Sequence, residues 1–572
     1  MSRSTRVDAH PPTLSPTFPP SLTLHIRWAV VLALLVNAAS LFTPIINEGD
    51  SVLYVALSQH IALTGNWGFL VLDNLDWLDK PHFPFWVTAL FFKIGGVSTF
   101  NYILPGFLFH LLGSYYTYRI ARMFYGWQVA LIALLMVVST YHLMYTSSAI
   151  KAEAFLTGSI TAACYYWLRF DAQAKAKYLL LAAVFSAISV MTKGIFTLIT
   201  IASGLACMWI YRGQWRNFWS AKWLLALALS LLFTFPEVLA LYLQFDAHPE
   251  KVVFGKTGVS GIRFFLWDSQ FGRFFNSGPI KNQEGTPLYF VHVFIWAFLP
   301  WVAAFVAAMF AGVRGFAKQS ADERSKFVFL CGTFFVTFGL FSATAFQLDY
   351  YTVILFPFAV ILSANYLAQW LQRASTPFFV AQIGVIAFTL ALTFALAIYV
   401  ANAWLLGAMV ALALALAGYA VAQRQHVRSF TAVIYPVFAV CMLYIFLEAM
   451  TLTAYLKYSI AYNVNKLLAQ DRSTPVYVYQ LDPIVAWELG IYRSAPSVGV
   501  QSASQLPQSG TPYLLLVKDA QIAGLANLGA TQALAYGDWV DHKTGTLPRQ
   551  LNLAKGNEPL DRISLFRVTP KP

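Results

Sequence analysis

Charged side chains that could act on an anionic substrate are concentrated between residues 47 and 86. Only 11% of the 572 residues are charged, so their gathering in one segment needs a chemical reason. A loop between membrane spans needs only polarity, which Ser, Asn or Gly would supply. Carboxylates beside a lysine instead indicate chemistry on an anionic group. The ionisable residues of this segment are Glu48, Asp50, Asp73, Asp76, Asp79, Lys80 and His82.

Asp50 admits two interpretations. It follows the first apolar span and precedes SVLYVAL, where an Asp caps a helix and favours its dipole. In the same position, a fixed carboxylate facing a water-poor cleft is a general base that deprotonates an acceptor. The local pattern is compatible with both.

Three further positions combine cations with carboxylates. In the Asp79-Lys80 pair, the ammonium could bind a phosphate as a point charge, and the carboxylate could ligate a divalent metal or hold the lysine. Glu153 begins a span near the outer surface, where intramembrane acids face cavities. Lys193 lies in a turn between two apolar runs. It either snorkels toward water or meets a lipid phosphate at headgroup depth.

A long polar segment at 246–286 alternates aromatic with polar side chains. Such interleaving binds single-stranded nucleic acid in some proteins, but in a membrane-facing loop it suits a sugar ring and its phosphate. Glu237, inside an apolar run just before this segment, is costly unless it meets water or a partner. The polar residues among these aromatics are Lys251, Lys256, Arg263, Asp268, Gln270, Arg273 and Asn276.

The elements that position these residues are membrane-spanning helices. The chain is 58% hydrophobic, and about 20 apolar residues cross a bilayer as a helix. With the N-terminus in the cytoplasm, Lys and Arg concentrate in the cytoplasmic loops, so the positive-inside rule explains the net charge of +13 without a nucleic-acid partner. Thirteen spans are predicted, at 28–46, 101–118, 127–145, 153–169, 178–192, 194–211, 223–245, 287–310, 327–346, 350–370, 376–399, 403–422 and 430–453.

The predicted fold is an all-α polytopic membrane domain with a small C-terminal extracytoplasmic α/β domain. Residues 1–26 form a disordered cytoplasmic tail, 27–454 the transmembrane domain and 455–572 the outer domain. Within the first outer loop, two helices lie in the interface with their apolar faces toward lipid. The outer domain has strands in STPVYVYQ, TPYLLLVKD and ISLFRV, and helical spacing in DPIVAWELGIY and AQIAGLANLGA. We expect it to cover or select a substrate.

The order of several motifs resembles the GT-C membrane glycosyltransferases, in particular the aminoarabinose transferases of lipid A and the protein O-mannosyltransferases. No single motif carries this resemblance, but their sequence along the chain does. The motifs are GDSVLYVALSQHIALTGNW with Asp50 and Tyr54, Asp79-Lys80-Pro81 before FPFW, Glu153, Lys193-Gly194, Arg273-Phe274, Pro287 with Tyr289, Pro300-Trp301, and Tyr351 with Pro357.

The resemblance implies a GT-C fold and inverting transfer of a sugar from a polyprenyl-phosphate donor to a lipid, glycan or protein acceptor. Asp50 would be the catalytic acid or base and Glu153 a second acidic site residue. The leaving phosphate would be held by cations, because negative charge grows on it in the transition state. Those cations are Lys80, Lys193 and Arg273, and the other expected binding residues are Asp79, Tyr54, Tyr351, Asp268 and Glu237.

The remaining expectations concern metal, location and the alternative function. A divalent metal, if one is used, would have Asp79 or Glu284 as a ligand. The protein is expected in the bacterial cytoplasmic (inner) membrane, in contact with membrane lipid, with its active site and C-terminal domain outside the cytoplasm. The alternative is a transporter or flippase of lipid-linked sugars. Transporters commonly carry internal repeats, and none is visible in this sequence.

Overall fold

The computed structural model describes residues 18–46, 49–148, 151–281, 285–373, 375–493, 496–525, 530–540 and 546–570. Within these ranges, 8 helices are long and apolar enough to cross a membrane, or up to 10 if each bent pair counts as one span. The chain is therefore a multi-pass membrane protein. Length and composition alone do not give the predicted thirteen, although every predicted span coincides with helical residues.

Among the described residues, the first half of the chain contributes thirteen helices, of which α2 and α3 belong to the first outer loop. They are α1 (Pro20–Ala39), α2 (Gly49–Thr64), α3 (Phe83–Gly95), α4 (Thr99–Tyr125), α5 (Trp127–Val138), α6 (Tyr141–Ser148), α7 (Ala152–Gln173), α8 (Ala176–Lys193), α9 (Thr197–Tyr211), α10 (Ala221–Leu232), α11 (Phe235–Leu241), α12 (Gly261–Arg263) and α13 (Ser269–Phe274).

The helices of the second half complete the core and continue into the outer domain. They are α14 (Tyr289–Ala297), α15 (Val302–Gly315), α16 (Ala321–Ala343), α17 (Phe356–Arg373), α18 (Thr376–Val400), α19 (Ala403–Ala422), α20 (Val427–Val433), α21 (Tyr435–Tyr458), α22 (Ile460–Leu467), α23 (Pro483–Tyr492) and α24 (Leu547–Lys555). A 3₁₀ segment, Asp349–Leu355, leads into α17.

Local sequence explains where several helices begin. Ser320 and Glu323 form a capping box that satisfies the first amides of α16. Proline occupies the first turn of α1, where its missing N–H costs nothing. Helix α1 therefore starts at Pro20, inside the segment predicted as a disordered tail, and residues 1–17 of that tail lie outside the described ranges.

Two predicted spans are not straight helices. The span at 127–145 is bent by 56° between α5 and α6, and the span at 287–310 is bent by 115° between α14 and α15. The second break carries Pro300, whose ring and missing N–H interrupt a helix. The two breaks touch, because the Tyr141 amide donates to the Leu299 carbonyl at 2.9 Å and Trp301 Nε1 donates to Ser139 Oγ at 3.2 Å. Each break thus satisfies polar groups that the other exposes.

The first outer loop is folded against protein. Its two helices, α2 and α3, are joined through a short hairpin of β1 (Val71–Leu72) and β2 (Leu75–Asp76). The apolar side chains Val52, Leu57 and Ile61 of α2 are fully buried, because α2 packs on α3 and on α23 of the outer domain. The expectation that the apolar face of α2 meets lipid is therefore wrong.

The C-terminal domain, which keeps the name outer domain from its predicted location, contains a five-stranded mixed sheet with the order β4-β3-β5-β7-β6. Strands β3, β4 and β5 are parallel, and β7 runs antiparallel to both β5 and β6. Strands β3, β5 and β7 correspond to the three predicted strands. Of the helix predicted in AQIAGLANLGA, the first six residues belong to a 3₁₀ segment, Asp519–Leu525, and residues 526–529 lie outside the described ranges. The strands are β3 (Val476–Tyr479), β4 (Ser497–Val500), β5 (Tyr513–Lys518), β6 (Ala530–Trp539) and β7 (Asp561–Thr569).

The outer domain is bound to the first outer loop by side-chain hydrogen bonds. Trp487 Nε1 donates to the carboxylate of Asp73 at 3.0 and 3.1 Å. Gln59 Nε2 donates to the Gly490 carbonyl at 2.8 Å, and Tyr492 donates to the Pro44 carbonyl at 2.8 Å. Helix α23 is therefore attached directly to the helix that carries Asp50.

Candidate active site

A cavity of about 300 Å³ lies where α2, the loop before α3, the start of α7, the end of α8 and α13 meet. It gathers residues from sequence positions 50 to 351 into one space. Nine of the predicted site residues line it. They are Asp50, Tyr54, Asp79, Lys80, Glu153, Lys193, Glu237, Arg273 and Tyr351.

Lys193 ends α8 and pairs with the carboxylate of Glu153 at the start of α7. Its ammonium nitrogen lies 4.0 Å from the ring centroid of Tyr351 and 5.6 Å from that of Tyr350. The carboxylate and the two ring faces offset the cost of taking the cation out of water. Lys193 is therefore a fixed cation and not a lysine that reaches freely toward solvent.

Gly194 gives Lys193 its position. Its φ is +110°, and a Cβ at this residue would collide with the side chain of Gln270. Only glycine adopts this backbone conformation at little cost. The turn after α8 can therefore lie directly against α13, which brings Lys193 and Arg273 to the same cavity.

Asp79 joins the two other cations. Its carboxylate lies 3.2 Å from Lys80 Nζ and also pairs with the Arg273 guanidinium. Burial would raise the pKa of Asp79, but Lys80 and Arg273 outweigh burial and hold the pKa below its ordinary value. Asp79 is thus an ionised carboxylate whose ion pair with Arg273 links the loop before α3 to α13.

Tyr54 forms the inner wall beneath Lys80. The lysine nitrogen lies 5.6 Å from the Tyr54 ring centroid, and the ring is 2% exposed. Burial, together with the nearby carboxylates of Glu153 and Asp50, raises the pKa of Tyr54 well above its ordinary value. Tyr54 therefore stays a neutral phenol that can donate a hydrogen bond.

Glu237 holds the loop before α3 in place. Its carboxylate accepts a hydrogen bond from the His82 backbone amide at 2.9 Å and lies 2.9 Å from His82 Nδ1. Both side chains are fully buried. Glu237 was predicted to bind substrate, but its oxygens are engaged by a residue 155 positions away. The contribution of His82 was not foreseen, because the sequence gives no sign of its partner.

Asp50 lies in the first turn of α2, which begins at Gly49. Its side chain is exposed and lines the cavity. An N-cap residue precedes its helix, whereas Asp50 is the second residue of α2, so only the favourable interaction with the helix dipole remains from the capping interpretation. The side chain lines the cavity, and its role as a general base stays a prediction.

Two predicted residues do not join this group. Asp268 is half-buried and lies 3.4 Å from the Arg263 guanidinium, and it does not line the cavity. Glu284 lies outside the described residues. Conversely, Tyr350 lines the cavity although it was not predicted. Its position next to Tyr351 in the sequence could have indicated it.

The metal expectation finds no donor set among the described residues. They contain no group of three or more His, Cys, Asp or Glu side chains placed to hold a metal ion. Asp79 is already bonded to two cations, and Lys193 lies on the same cavity, so a further cation there would be repelled. The described residues of this cavity fit an anion.

An apolar groove of about 520 Å³ continues from the charged cavity. The two share Lys193, Arg273 and Tyr351, so a phosphate-sized anion at the cations would lie at one end of the groove. The remainder of its wall is mostly apolar, with Ser269, Gln270 and Thr344 as its polar members, and suits a hydrocarbon chain. That wall includes Ile195, Phe196, Leu198, Ile199, Phe271, Phe274, Phe275, Leu340 and Phe341.

Sequence comparison finds similarity to membrane sugar transferases. Residues 79–239 match the family model of dolichyl-phosphate-mannose-protein mannosyltransferase. The chain is 24% identical over 328 residues to the undecaprenyl phosphate-alpha-4-amino-4-deoxy-L-arabinose arabinosyl transferase of Edwardsiella ictaluri (strain 93-146), covering 56% of this chain and 55% of that protein. It is 22% identical over 346 residues to transferase 2 of the same description from Proteus mirabilis (strain HI4320), covering 59% of each. The chain thus matches just over half the length of these curated relatives.

Comparison of structures extends over nearly the whole chain. ArnT from Cupriavidus metallidurans in the apo state superposes with a TM-score of 0.69 at 19% identity, covering 95% of this chain and 98% of that one. The same protein bound to undecaprenyl phosphate gives a TM-score of 0.70. The chain therefore has the ArnT fold. The resemblance to GT-C glycosyltransferases expected from the motifs is confirmed.

Proposed function

We propose that this protein is an inverting glycosyltransferase that moves a sugar from a polyprenyl-phosphate donor to a lipid, glycan or protein acceptor. The observation that carries the proposal is the meeting of Lys80, Lys193 and Arg273 in one cavity that continues into an apolar groove. A polyprenyl phosphate has the matching shape, with an anionic head and a hydrocarbon tail. The curated relatives are named for transfer from an undecaprenyl phosphate sugar.

The proposed reaction places charge where the cavity has groups to receive it. An acceptor oxygen attacks C1 of the sugar while the bond from C1 to the phosphate oxygen breaks, and its electron pair leaves with the phosphate. Lys80, Lys193 and Arg273 stabilise that growing negative charge because they are already oriented. The Asp50 carboxylate takes the proton from the acceptor hydroxyl. The products are the glycosylated acceptor and the polyprenyl phosphate.

The other carboxylates would hold the cations in place. Glu153 fixes Lys193, and Asp79 fixes Lys80 and Arg273. An ammonium has three donor hydrogens and a guanidinium has five, so each cation can keep its carboxylate and still donate to phosphate. Glu153 is thus a positioning residue in this proposal, where the resemblance alone had suggested a second acidic site residue.

The proposed location is the bacterial inner membrane, with the cavity and the outer domain on the extracytoplasmic side. This orientation follows from the sequence prediction of thirteen spans with a cytoplasmic N-terminus, in which an odd number of crossings puts the C-terminal domain opposite the basic loops. The transferred sugar would be a hexose or a pentose. The named relatives come from bacteria and transfer an aminoarabinose.

The test uses the full chain in nanodiscs with a panel of undecaprenyl-phosphate sugars and a bacterial envelope extract that supplies lipid, glycan and protein acceptors. We expect at least one donor of the panel to release undecaprenyl phosphate, which is measured by mass spectrometry. Asp50→Asn should reduce turnover by about a thousandfold, within the range for loss of general base catalysis, while undecaprenyl phosphate still binds. Equal turnover by Asp50→Asn would remove this residue from the mechanism. In sealed proteoliposomes, movement of intact lipid-linked sugar between leaflets without bond cleavage would favour the transporter.

A further inference from the structure

A second and larger cavity, of about 790 Å³, lies on the other side of Asp50. It shares Asp50, Lys151, Leu348 and Tyr350 with the first cavity. The proposed donor chemistry uses none of its remaining lining. A carboxylate with a cavity on each side is suitably placed to receive a proton from a molecule bound in the second cavity while a bond breaks in the first.

The second cavity has the opposite charge from the first. The carboxylates of Asp349 and Glu448 line it together with Asp50. Lys151 is the only Lys or Arg among its described lining residues, and its ammonium lies 4.1 Å from the Tyr350 ring centroid. Carboxylates that line a cavity repel a phosphate bound in it, whereas they accept hydrogen bonds from hydroxyl groups.

A buried imidazole nitrogen without a hydrogen-bond partner among the described residues lies beside this space. His142 lines the cavity and is 1% exposed, and within the described part of the chain its Nδ1 has no hydrogen-bond partner. Its ring centroid lies 5.1 Å from that of Trp296 and 5.8 Å from that of Tyr145. Buried polar atoms normally have partners, so this nitrogen marks a place for a polar ligand atom beside an aromatic surface.

The far wall of the cavity is aliphatic and belongs to two candidate membrane spans. Leu392 and Leu396 lie on α18, and Leu443 and Leu447 lie on α21. Thr546 and Gln550 complete the lining from the outer domain. A ligand that fits these surfaces has a polar head near Asp50 and an apolar part at the depth of the membrane.

We propose that this second cavity binds the acceptor, and that the acceptor is a glycolipid whose reacting group is an uncharged sugar hydroxyl and not a phosphate. This inference rests on the proposed transferase function. The hydroxyl loses its proton to Asp50 as its oxygen bonds to C1 of the donor sugar. Asp349 and Glu448 accept hydrogen bonds from neighbouring hydroxyls, and the His142 and Trp296 rings support the sugar face.

The first experiment compares two photoreactive probes with the same tail, dodecyl maltoside and dodecyl phosphate, each carrying a diazirine, on the full chain in nanodiscs. Labelled peptides are mapped by mass spectrometry. We expect the maltoside probe to label 141–145 and 443–448 at least about tenfold more than the phosphate probe does, because the wall charges act on the head. Equal labelling of these peptides by the phosphate probe would overturn the inference.

The same experiment separates this inference from the donor assignment. We expect the phosphate probe to label 195–199 and 271–275, beside Lys193 and Arg273. Labelling there with no maltoside labelling at 141–145 would retain the donor site and overturn the acceptor inference. Failure of the phosphate probe to label the groove, with maltoside labelling retained, would count against the donor site alone.

A variant test assigns the selectivity to charge. Asp349→Asn combined with Glu448→Gln keeps the side-chain size and removes two negative charges, so we expect the ratio of maltoside to phosphate labelling at 141–145 to fall about tenfold. Glu250→Gln is the control, since Glu250 is an exposed acid of the long outer loop paired with His248. An unchanged ratio in the double variant, with groove labelling by the phosphate probe intact, would overturn the role of these carboxylates.

Discussion

Lys193 is a largely buried cation whose charge is compensated by a neighbouring carboxylate. It contacts the Glu153 carboxylate and the Tyr351 ring on one side and faces the cavity on the other. A cation held in this way needs little reorganisation when a phosphate arrives. The proposed donor site therefore depends on charge that is oriented before binding.

Removing this cation should weaken both donor binding and turnover. A hydrogen bond to a charged group contributes about 1.5–3 kcal/mol, so Lys193→Ala should lower kcat/KM by about 10- to 150-fold. Initial rates over a range of donor concentrations measure this change. Lys555→Ala is the control, because Lys555 ends α24, lies over the ring of Tyr399 on α18 and does not line the charged cavity. Equal losses in both variants would contradict a specific role for Lys193.

Asp79 gives a prediction about pH. Its pKa is lowered in the folded protein by Lys80 and Arg273. Its stabilising contribution is therefore fully present above the ordinary Asp pKa of about 3.9 and is lost as pH falls through the folded value. The difference in melting temperature between the protein and Asp79→Asn should be constant from about pH 5 to 8 and shrink below pH 4. A difference that grows on acidification would show the opposite sign of coupling.

The sequence predicted individual site residues correctly where a charged side chain had few possible environments. Lysines and acids at the outer ends of apolar spans have to meet water, a lipid phosphate or each other, and Lys193 and Glu153 do meet. Asp268 lay in a long polar loop, where composition does not determine which way a side chain points. Glu237 was recognised as needing a partner, but His82 could be identified only from the fold.

At the scale of elements, the turn between α8 and α9 determines how closely α13 approaches. Gly194→Ala should therefore disturb the site, because it meets both a left-handed φ and the Gln270 side chain. We expect a loss of at least about 1 kcal/mol in stability and a larger KM for the donor. Gly384→Ala on α18 is the matched control, since a Cβ there meets nothing within 4 Å. Thermal unfolding and kinetics measure both, and equal behaviour of the two variants would contradict this role of Gly194.

The sequence indicated most helices but not their interruptions. Apolar length identifies a span, whereas the breaks at Ser139 and Pro300 depend on each other for hydrogen bonding. Strands β4 and β6 were missed because both lie at sheet edges, and the residues of β6 are mostly exposed. Such strands lack the apolar alternation by which buried strands are recognised.

At the scale of the whole molecule, the outer domain is bonded to the loop of the membrane domain that contains α2, the helix that carries Asp50. Trp487 and Gly490 of the outer domain bond to Asp73 and Gln59 of the first loop. Trp487→Phe keeps most of the packing and removes the hydrogen bond to Asp73. We expect faster hydrogen exchange in α2 and a lower kcat, because the carboxylate is less firmly held.

The control for this prediction is Tyr536→Phe. Tyr536 is an exposed residue of β6, so its variant should leave exchange in α2 unchanged. Faster exchange confined to α23 in Trp487→Phe, with α2 and kcat unaffected, would mean that the domain is attached without supporting the site.

The two cavities that share Asp50 also constrain the order in which substrates bind and products leave. Apart from the four residues they share, the two cavities have separate linings and separate apolar walls. The donor and the acceptor can therefore be bound at the same time. Double-reciprocal plots at several fixed concentrations of the second substrate should intersect, as for a ternary complex, and parallel lines would instead indicate a covalent sugar on the enzyme.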